Sequence, residues 1–289
     1  MIKFAVSTTA FRGRPVQEMI RSATEEGFEL EFSSGLPHDP DIESLFYGAD
    51  CPRLPHNYFP APRDPFVLNL ASLREEIRER SIEHCRKGLR MAARVGAPFY
   101  SAHAGFCVDA APADLGRKLP AEPERPRENH WRRFVDAVKL LAEDAARLKV
   151  MFLVENNVVA PFNVSASGRH PLLCASFEEM NRLMAEVENP ALGILVDTGH
   201  LKVSSLSLGF SPEVFLEMLK AHVHGIHHSD NDGTEDTNHP LTGQYWFLPY
   251  MPQYAGACHI LEVHDQTVGE IREQRGLLEK AVHTVSREQ

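Results

Sequence analysis

Five apolar runs in this sequence end in a carboxylate or an imidazole. They read SAHAG around His103, FLVENN around Glu155, ILVDTGH around Asp197 and His200, GIHHSD around His227, and HILEVH around Glu262. Burying an unpaired charge costs several kcal/mol even after relaxation. A divalent cation bound by Glu155, Asp197, His227 and Glu262 would remove that cost. Three carboxylates and one imidazole suit Mn²⁺, Mg²⁺, Co²⁺ or Zn²⁺, with coordination positions left for substrate or water. An apolar strand that ends in one polar group also fits the C-terminal rim of a parallel barrel, where each strand delivers a side chain to a shared mouth.

The elements that would position these groups alternate along the chain. Strands are expected at Lys3–Ser7, Phe28–Ser33, Leu54–Tyr58, Pro98–His103, Val150–Glu155, Leu192–Asp197, His222–His228 and His259–Val263. Helices are expected at Pro15–Glu26, Ser72–Val95, Glu128–Leu148, Ser176–Val187, Ser211–Lys220 and Thr267–Val282. The longest two carry apolar residues at helical spacing, such as Trp131, Phe134, Val138, Leu141 and Ala145. Ser176-Phe-Glu-Glu179 reads as a capping box, and Ser211 before Pro212 as a helix start. Eight strands with intervening helices make an α/β (β/α)8 barrel, expected as one domain over residues 1–289. The loops after strands four, five and seven (105–127, 156–175 and 230–257) are long, as substrate pockets and lids are. The Pro-rich charged stretch 119–128 in the first of them is expected to be exposed.

Side chains alternate faces along a strand. Met151, Leu153 and Glu155 share one face, as do Gly193, Leu195 and Asp197, then Val223, Gly225 and His227, then Ile260 and Glu262. Each set puts an apolar or small residue below one ligand, as a packed barrel capped by a polar cluster would. His228 has the opposite parity and points toward the surrounding helices, so His227 is the expected ligand. Glu31 has parity into the barrel, where an ion pair is an equal reading.

Composition bounds the rest. Thirty Lys and Arg against forty Asp and Glu give a net charge of −10, which argues against a nucleic-acid surface. No signal peptide and no run near the roughly 20 apolar residues of a membrane span are seen, so no membrane partner is expected. The five scattered cysteines form no CxxC pair, and reduced thiols in a cytoplasmic protein are the simple reading.

Taken in order, VEN (Glu155), VDTGH (Asp197, His200), IHHSDNDG (His227, Asp230) and ILE (Glu262) resemble the xylose isomerase-like TIM-barrel superfamily of sugar isomerases, epimerases and metal-dependent apurinic endonucleases. In the epimerase branch the resemblance implies one metal on Glu155, Asp197, His227 and Glu262, with Glu155 and Glu262 also the acid/base pair. It implies substrate contact at His200. The function implied is a metal-dependent sugar or sugar-phosphate isomerase or epimerase working through a metal-stabilised enediolate, with a small carbohydrate as partner. Members are often dimers or tetramers, which implies a homo-oligomer. The endonuclease branch binds three zincs, and its pattern is matched by His56, His103, Glu155, Asp197, His200, His227, His239 and Glu262. Thr237 departs from it, standing where that branch has an Asp. His56 and His103 also occur at such positions in sugar-acting members, so with His200, Asp230 and His239 they are read as substrate contacts. A zinc-dependent phosphodiesterase and a non-catalytic ligand-binding barrel are the rivals.

Plainer readings apply elsewhere. Asp230, Asp232 and Asp236 sit in the turn-like run SDNDGTED, and turn formation explains most such clusters. Lys202 is read as solvated. The aromatic group Tyr245, Trp246, Phe247 and Tyr250 either stacks on a sugar or packs on the rim. His38, His84, His130, His170, His222, His224, His259 and His264 are read as structural.

Overall fold

Each of eight strands buries an apolar run and ends at the same rim. They are β1 Lys3–Ser7, β2 Glu29–Phe32, β3 Arg53–Pro55, β4 Phe99–His103, β5 Met151–Glu155, β6 Leu192–Asp197, β7 Val223–His228 and β8 Cys258–Leu261. A computed structural model describes residues 2–120 and 126–283. The strands pair in parallel in the order β3-β2-β1-β8-β7-β6-β5-β4. The two end strands meet through one bridge between His56 and Ser101, with the Asn57 N–H donating to the Ser101 carbonyl at 2.7 Å. The result is a nearly closed (β/α)8 barrel.

The helices are α1 Val16–Glu26, α2 Ile42–Gly48, α3 Glu75–Val95, α4 Arg127–Leu148, α5 Phe177–Val187, α6 Thr198–Leu208, α7 Pro212–Leu219 and α8 Val268–Val282. Leu89, Trp131, Phe134 and Leu141 are buried, as the helical spacing in α3 and α4 predicts. Each such side chain contributes about 1.5–3 kcal/mol relative to exposure. Leu153, Leu195 and Ile260 are fully buried below the rim. A Cβ on Gly225 would meet Leu195, Leu153 and Phe99 at 3.3–3.4 Å, so the small residue there is set by the width of the barrel.

Several expectations change. β3 and β8 are shorter than the spacing suggests, and Glu262 lies one residue past β8. α2 and α6 were not expected. Ser176 makes no cap bond. Glu179 instead accepts from both Nε and Nη2 of Arg127, at 2.9 and 2.7 Å, and from the Cys174 N–H. A guanidinium is a stronger partner than the cap N–H it displaces. A capping box does form at Thr267 and Glu270 in α8. Of the stretch 119–128, residues 121–125 lie outside the described residues, and Leu119 is buried. The five cysteines are all buried. Among the described residues no helix is long and apolar enough to cross a membrane.

Candidate metal centre and active site

Strands β2 to β8 each bring one ionisable side chain to the rim. In order these are Glu31, His56, His103, Glu155, Asp197, His227 and Glu262. Ligand atoms of Glu155, Asp197, His227 and Glu262 all lie within 4.8 Å of one another. The parity argument therefore holds for all four. Glu155, Asp197 and His227 are fully buried, and the Glu262 side chain is 14% exposed.

His227 sits at the centre. Its Nε2–H donates to Glu31 at 3.0 Å, which turns Nδ1 to the cluster. Nδ1 is 2.7 Å from Glu262, 3.6 Å from Glu155 and 3.8 Å from Asp197. A carboxylate behind an imidazole fixes its tautomer and raises its basicity, as in many metal sites. Glu31 thus has a definite role that parity alone left between two readings.

Asp197 does two things. Its Oδ1 accepts from the His200 N–H at 2.7 Å and so caps α6, while Oδ2 remains turned to the cluster. Asn156 holds Asp197 on both sides, taking its N–H at 2.8 Å and donating to its carbonyl at 3.1 Å. A Cβ on Gly199 would run into the Ser229 hydroxyl at the end of β7, which explains the glycine in DTGH. His200 donates from Nδ1 to the Asn156 carbonyl at 2.9 Å and turns Nε2 to Asp236 at 3.2 Å. His56 and His103 approach Oε2 of Glu155 at 3.4 and 3.3 Å, and with it form a second group within 4.8 Å.

Burial penalises the charge on Glu155, Glu262, Asp197, His227 and His200, and neighbours decide the outcome. Burial favours the neutral form of Glu155, but His103, His227 and His56 outweigh it and hold the carboxyl well below its usual range. Burial works the same way on Glu262, yet His227 brings it to about 2. Asp197 goes the other way. Burial, reinforced by Asp236, Glu155 and Glu262, raises it to about 8 against the pull of His200. His227 and His200 are both pushed well above the ordinary range despite burial. Glu262, Glu31 and Glu155 act on His227, and Asp197, Asp236 and Glu155 on His200.

The residues fit a divalent cation. Both oxygens of Glu155, Oδ2 of Asp197 and Oε1 of Glu31 are buried without a hydrogen-bond partner. Orphaned acceptors in such number are rare in folded proteins. Carboxylate oxygens and one imidazole nitrogen are the donor set that Mn²⁺, Mg²⁺, Co²⁺ and Zn²⁺ accept.

Asp230 and His239 lie outside this ring. Their backbones pair in both directions, at 3.0 and 2.8 Å. The Asp230 carboxylate binds Lys202 at 2.8 Å, so Lys202 is ion-paired rather than solvated, and the His239 side chain is exposed. The aromatic group packs behind the barrel, with Tyr245 and Phe247 against His228 and Trp246 and Tyr250 against Phe247. Asn156 and Asp236 were not anticipated. Asn156 follows Glu155 directly, which was a signal; Asp236 is 36 residues from His200 in an irregular loop and gave none.

Residues 17–275 match the model of the xylose isomerase-like TIM barrel family. The chain belongs to that family. No curated protein matches it. Solved structures similar to it include a D-tagatose 3-epimerase-like protein at 16% identity, covering 98% of each chain with a TM-score of 0.73. A 3-keto-D-glucoside 4-epimerase from E. coli is 14% identical over 97% of this chain and 99% of that one, with a TM-score of 0.67. A Thermus thermophilus protein soaked with zinc chloride is 20% identical over 96% of this chain and 99% of that one, with a TM-score of 0.64. At these identities the likeness is one of fold.

Proposed function

We propose that this chain is a divalent-metal-dependent isomerase or epimerase of a sugar, with Glu155, Asp197, His227 and Glu262 as metal ligands and Glu155 and Glu262 as the acid/base pair. The observation that carries this reading is the placing of two carboxylates, Glu155 and Glu262, on either side of Asp197 and His227 around the rim. Both converge on Nδ1 of His227. A bound divalent cation would polarise the substrate carbonyl and neutralise the negative charge that grows as the neighbouring carbon loses its proton.

The protein's own groups move the proton. One carboxylate takes it from the carbon beside the carbonyl. Return to the same carbon from the other carboxylate, on the opposite face, inverts that centre. Return to the former carbonyl carbon, with the neighbouring hydroxyl's proton passing to the former carbonyl oxygen, gives the isomer. Glu262, the more accessible of the pair, is the group that exchanges its proton with water. His200 lines the cavity above the cluster, with Nδ1 on the Asn156 carbonyl and Nε2 on Asp236, and is placed to contact the substrate. His103 lines the same cavity, and His56 stands behind it against Ser101 and Glu155. The similar structures, a D-tagatose 3-epimerase-like protein and a 3-keto-D-glucoside 4-epimerase, agree with a carbohydrate substrate, free or glycosidic. A single chain domain, a cytoplasmic setting and a homo-oligomer complete the proposal.

The test is solvent exchange. Mn²⁺-loaded protein incubated with ketoses and keto-glycosides in D₂O should place deuterium on the carbon next to the carbonyl, as read by proton NMR. Glu155→Gln and Glu262→Gln should each abolish the inversion or isomerisation. No exchange with any member of such a panel contradicts the reading. A second reading, zinc-dependent phosphodiester hydrolysis, draws on the second group His56, His103 and Glu155. The net charge of −10 and Thr237 weigh against it.

A further inference from the structure

The mouth of the barrel opens into a cavity of about 440 Å³, with His103, His200 and Asp236 among its lining. That volume lies in the range of roughly 300–1,000 Å³ that holds drug-sized ligands. Its walls are not what a bare sugar needs. They include Tyr58, Phe66, Phe106, Leu115, Phe162 and Leu172, and they come from the segment after β3 and the long loops after β4 and β5.

These walls are built rather than loosely draped. Val67, Phe106, Val108, Leu119, Val159, Leu172 and Ala175 form a second hydrophobic core, separate from that of the barrel. The Leu119 N–H donates to the Asn163 side chain at 2.8 Å and ties the two long loops together. Asp109 accepts from Asn69 and Ser72, both at 3.0 Å, and anchors the first loop to the segment before α3. Against this fixed backing Leu115 and Phe162 stay 49% and 36% exposed, among the few large apolar side chains so open in the described residues. Both line the cavity, and a ligand there would cover them.

Charge points the same way. Among the described residues lining the cavity, Arg117 is the one Lys or Arg, and it is exposed; Glu235 and Asp236 are acidic. Lys202 is held by Asp230. With His200 counted, a phosphate dianion would meet no excess of positive charge, and phosphate sites rely on one. Aromatic walls instead gain from another ring, through buried area and offset or edge contacts.

We infer that the substrate is a keto-sugar bearing an aryl group, unphosphorylated, with the aryl group in this cavity and the sugar over the metal cluster. The inference rests on the sugar reading above.

Titration calorimetry on the Mn²⁺-loaded protein tests it with 4-nitrophenyl α- and β-D-glucosides, the matching methyl glucosides, glucose and glucose 6-phosphate. One aryl anomer should bind about tenfold or more tightly than its methyl counterpart, consistent with burial of one aromatic ring. Glucose 6-phosphate should bind no more tightly than glucose. Leu115→Ala with Phe162→Ala, both exposed positions, should remove most of the aryl preference while the thermal midpoint stays near wild type. Equal affinity for aryl and methyl glucosides, no binding of either aryl anomer, or tightest binding of the phosphate ester overturns the inference. The solvent-exchange assay separates the two claims. Exchange into free ketoses without an aryl preference overturns this inference alone. An aryl preference without exchange into any keto-sugar overturns the chemistry and leaves the ligand class standing.

Discussion

His227 and His228 are neighbours in β7, both fully buried, and they have opposite chemistry. His227 faces the barrel among Glu31, Glu155 and Glu262, and those carboxylates raise its proton affinity in spite of burial. His228 faces outward, where burial, with His259 and His227 as further causes, holds it well below its ordinary pKa. Its hydrogen bonds explain how a neutral imidazole is kept there. His259 Nε2 lies 3.1 Å from the Tyr254 carbonyl, which can only accept, so His259 donates and its Nδ1 accepts from His228 Nε2 at 2.9 Å. His228 Nδ1 then accepts from the Tyr245 hydroxyl at 3.0 Å. One step along a strand separates an imidazole held among carboxylates from a neutral structural one. Which face a residue occupies decides more than its burial does.

The largest effect on this contrast should come from His227→Ala. Loss of a ligand should weaken Mn²⁺ binding by more than the roughly 100-fold that an outer partner can cost. His228→Gln should leave Mn²⁺ affinity within a few-fold of wild type and lower the thermal midpoint instead. Titration calorimetry and thermal melts of both variants compare them directly, and equal losses of metal affinity would break the contrast.

The outer face should also be acid-sensitive. His259 is lowered to about 4 by burial, and His84 to about 4 by burial with Lys87 adding to it. In the unfolded chain both bind a proton near about 6.5. The unfolded state therefore holds more protons between those values. Stability from these two groups is full above about pH 6.5 and is lost as pH falls toward 4, by up to about 3 kcal/mol each. Urea denaturation of wild type and His259→Gln across pH 4–7 reads this, and the variant should have the shallower fall.

Glu31→Gln probes the partner behind His227. It keeps the size of the side chain and removes the charge, so Mn²⁺ affinity should fall about 10–100-fold with the fold intact. Unchanged affinity would make Glu31 a bystander.

The smallest signal is in protons. Asp197 sits at about 8 in the protein's own field, so at pH 7 a cation must displace its proton. Calorimetry of Mn²⁺ binding in two buffers of different ionisation enthalpy should show net proton release. None released would contradict protons held on Asp197 and His227 in the metal-free protein.

Much of the barrel and its rim is legible in the sequence. Apolar runs that end in Glu155, Asp197 and His227 carry strand, direction and face together, because period-two alternation leaves one polar group over an apolar one. The count of eight strands then implies the barrel. α6 is not legible in this way. Thr198–Leu208 holds three Ser, one Thr and one Gly and is largely buried, so it has weak helix propensity and no amphipathic stripe. It forms because Asp197 caps it and because Thr198 donates to the His227 carbonyl at 3.0 Å. The links from Asp236 to His200 and from Lys202 to Asp230 depend on how an irregular loop folds back, and no periodicity encodes that. The same holds for the cavity walls, where two long loops share an apolar core that neither shows alone.

The metal centre is the claim on which the rest depends. Elemental analysis by inductively coupled plasma mass spectrometry, on protein purified without chelators, tests it directly in wild type and Glu262→Gln. The account predicts about one Mn, Mg, Co or Zn per wild-type chain and depletion in the variant. No bound divalent metal in the wild type, even after reconstitution, would contradict it, and two or three zincs per chain would favour phosphodiester chemistry instead.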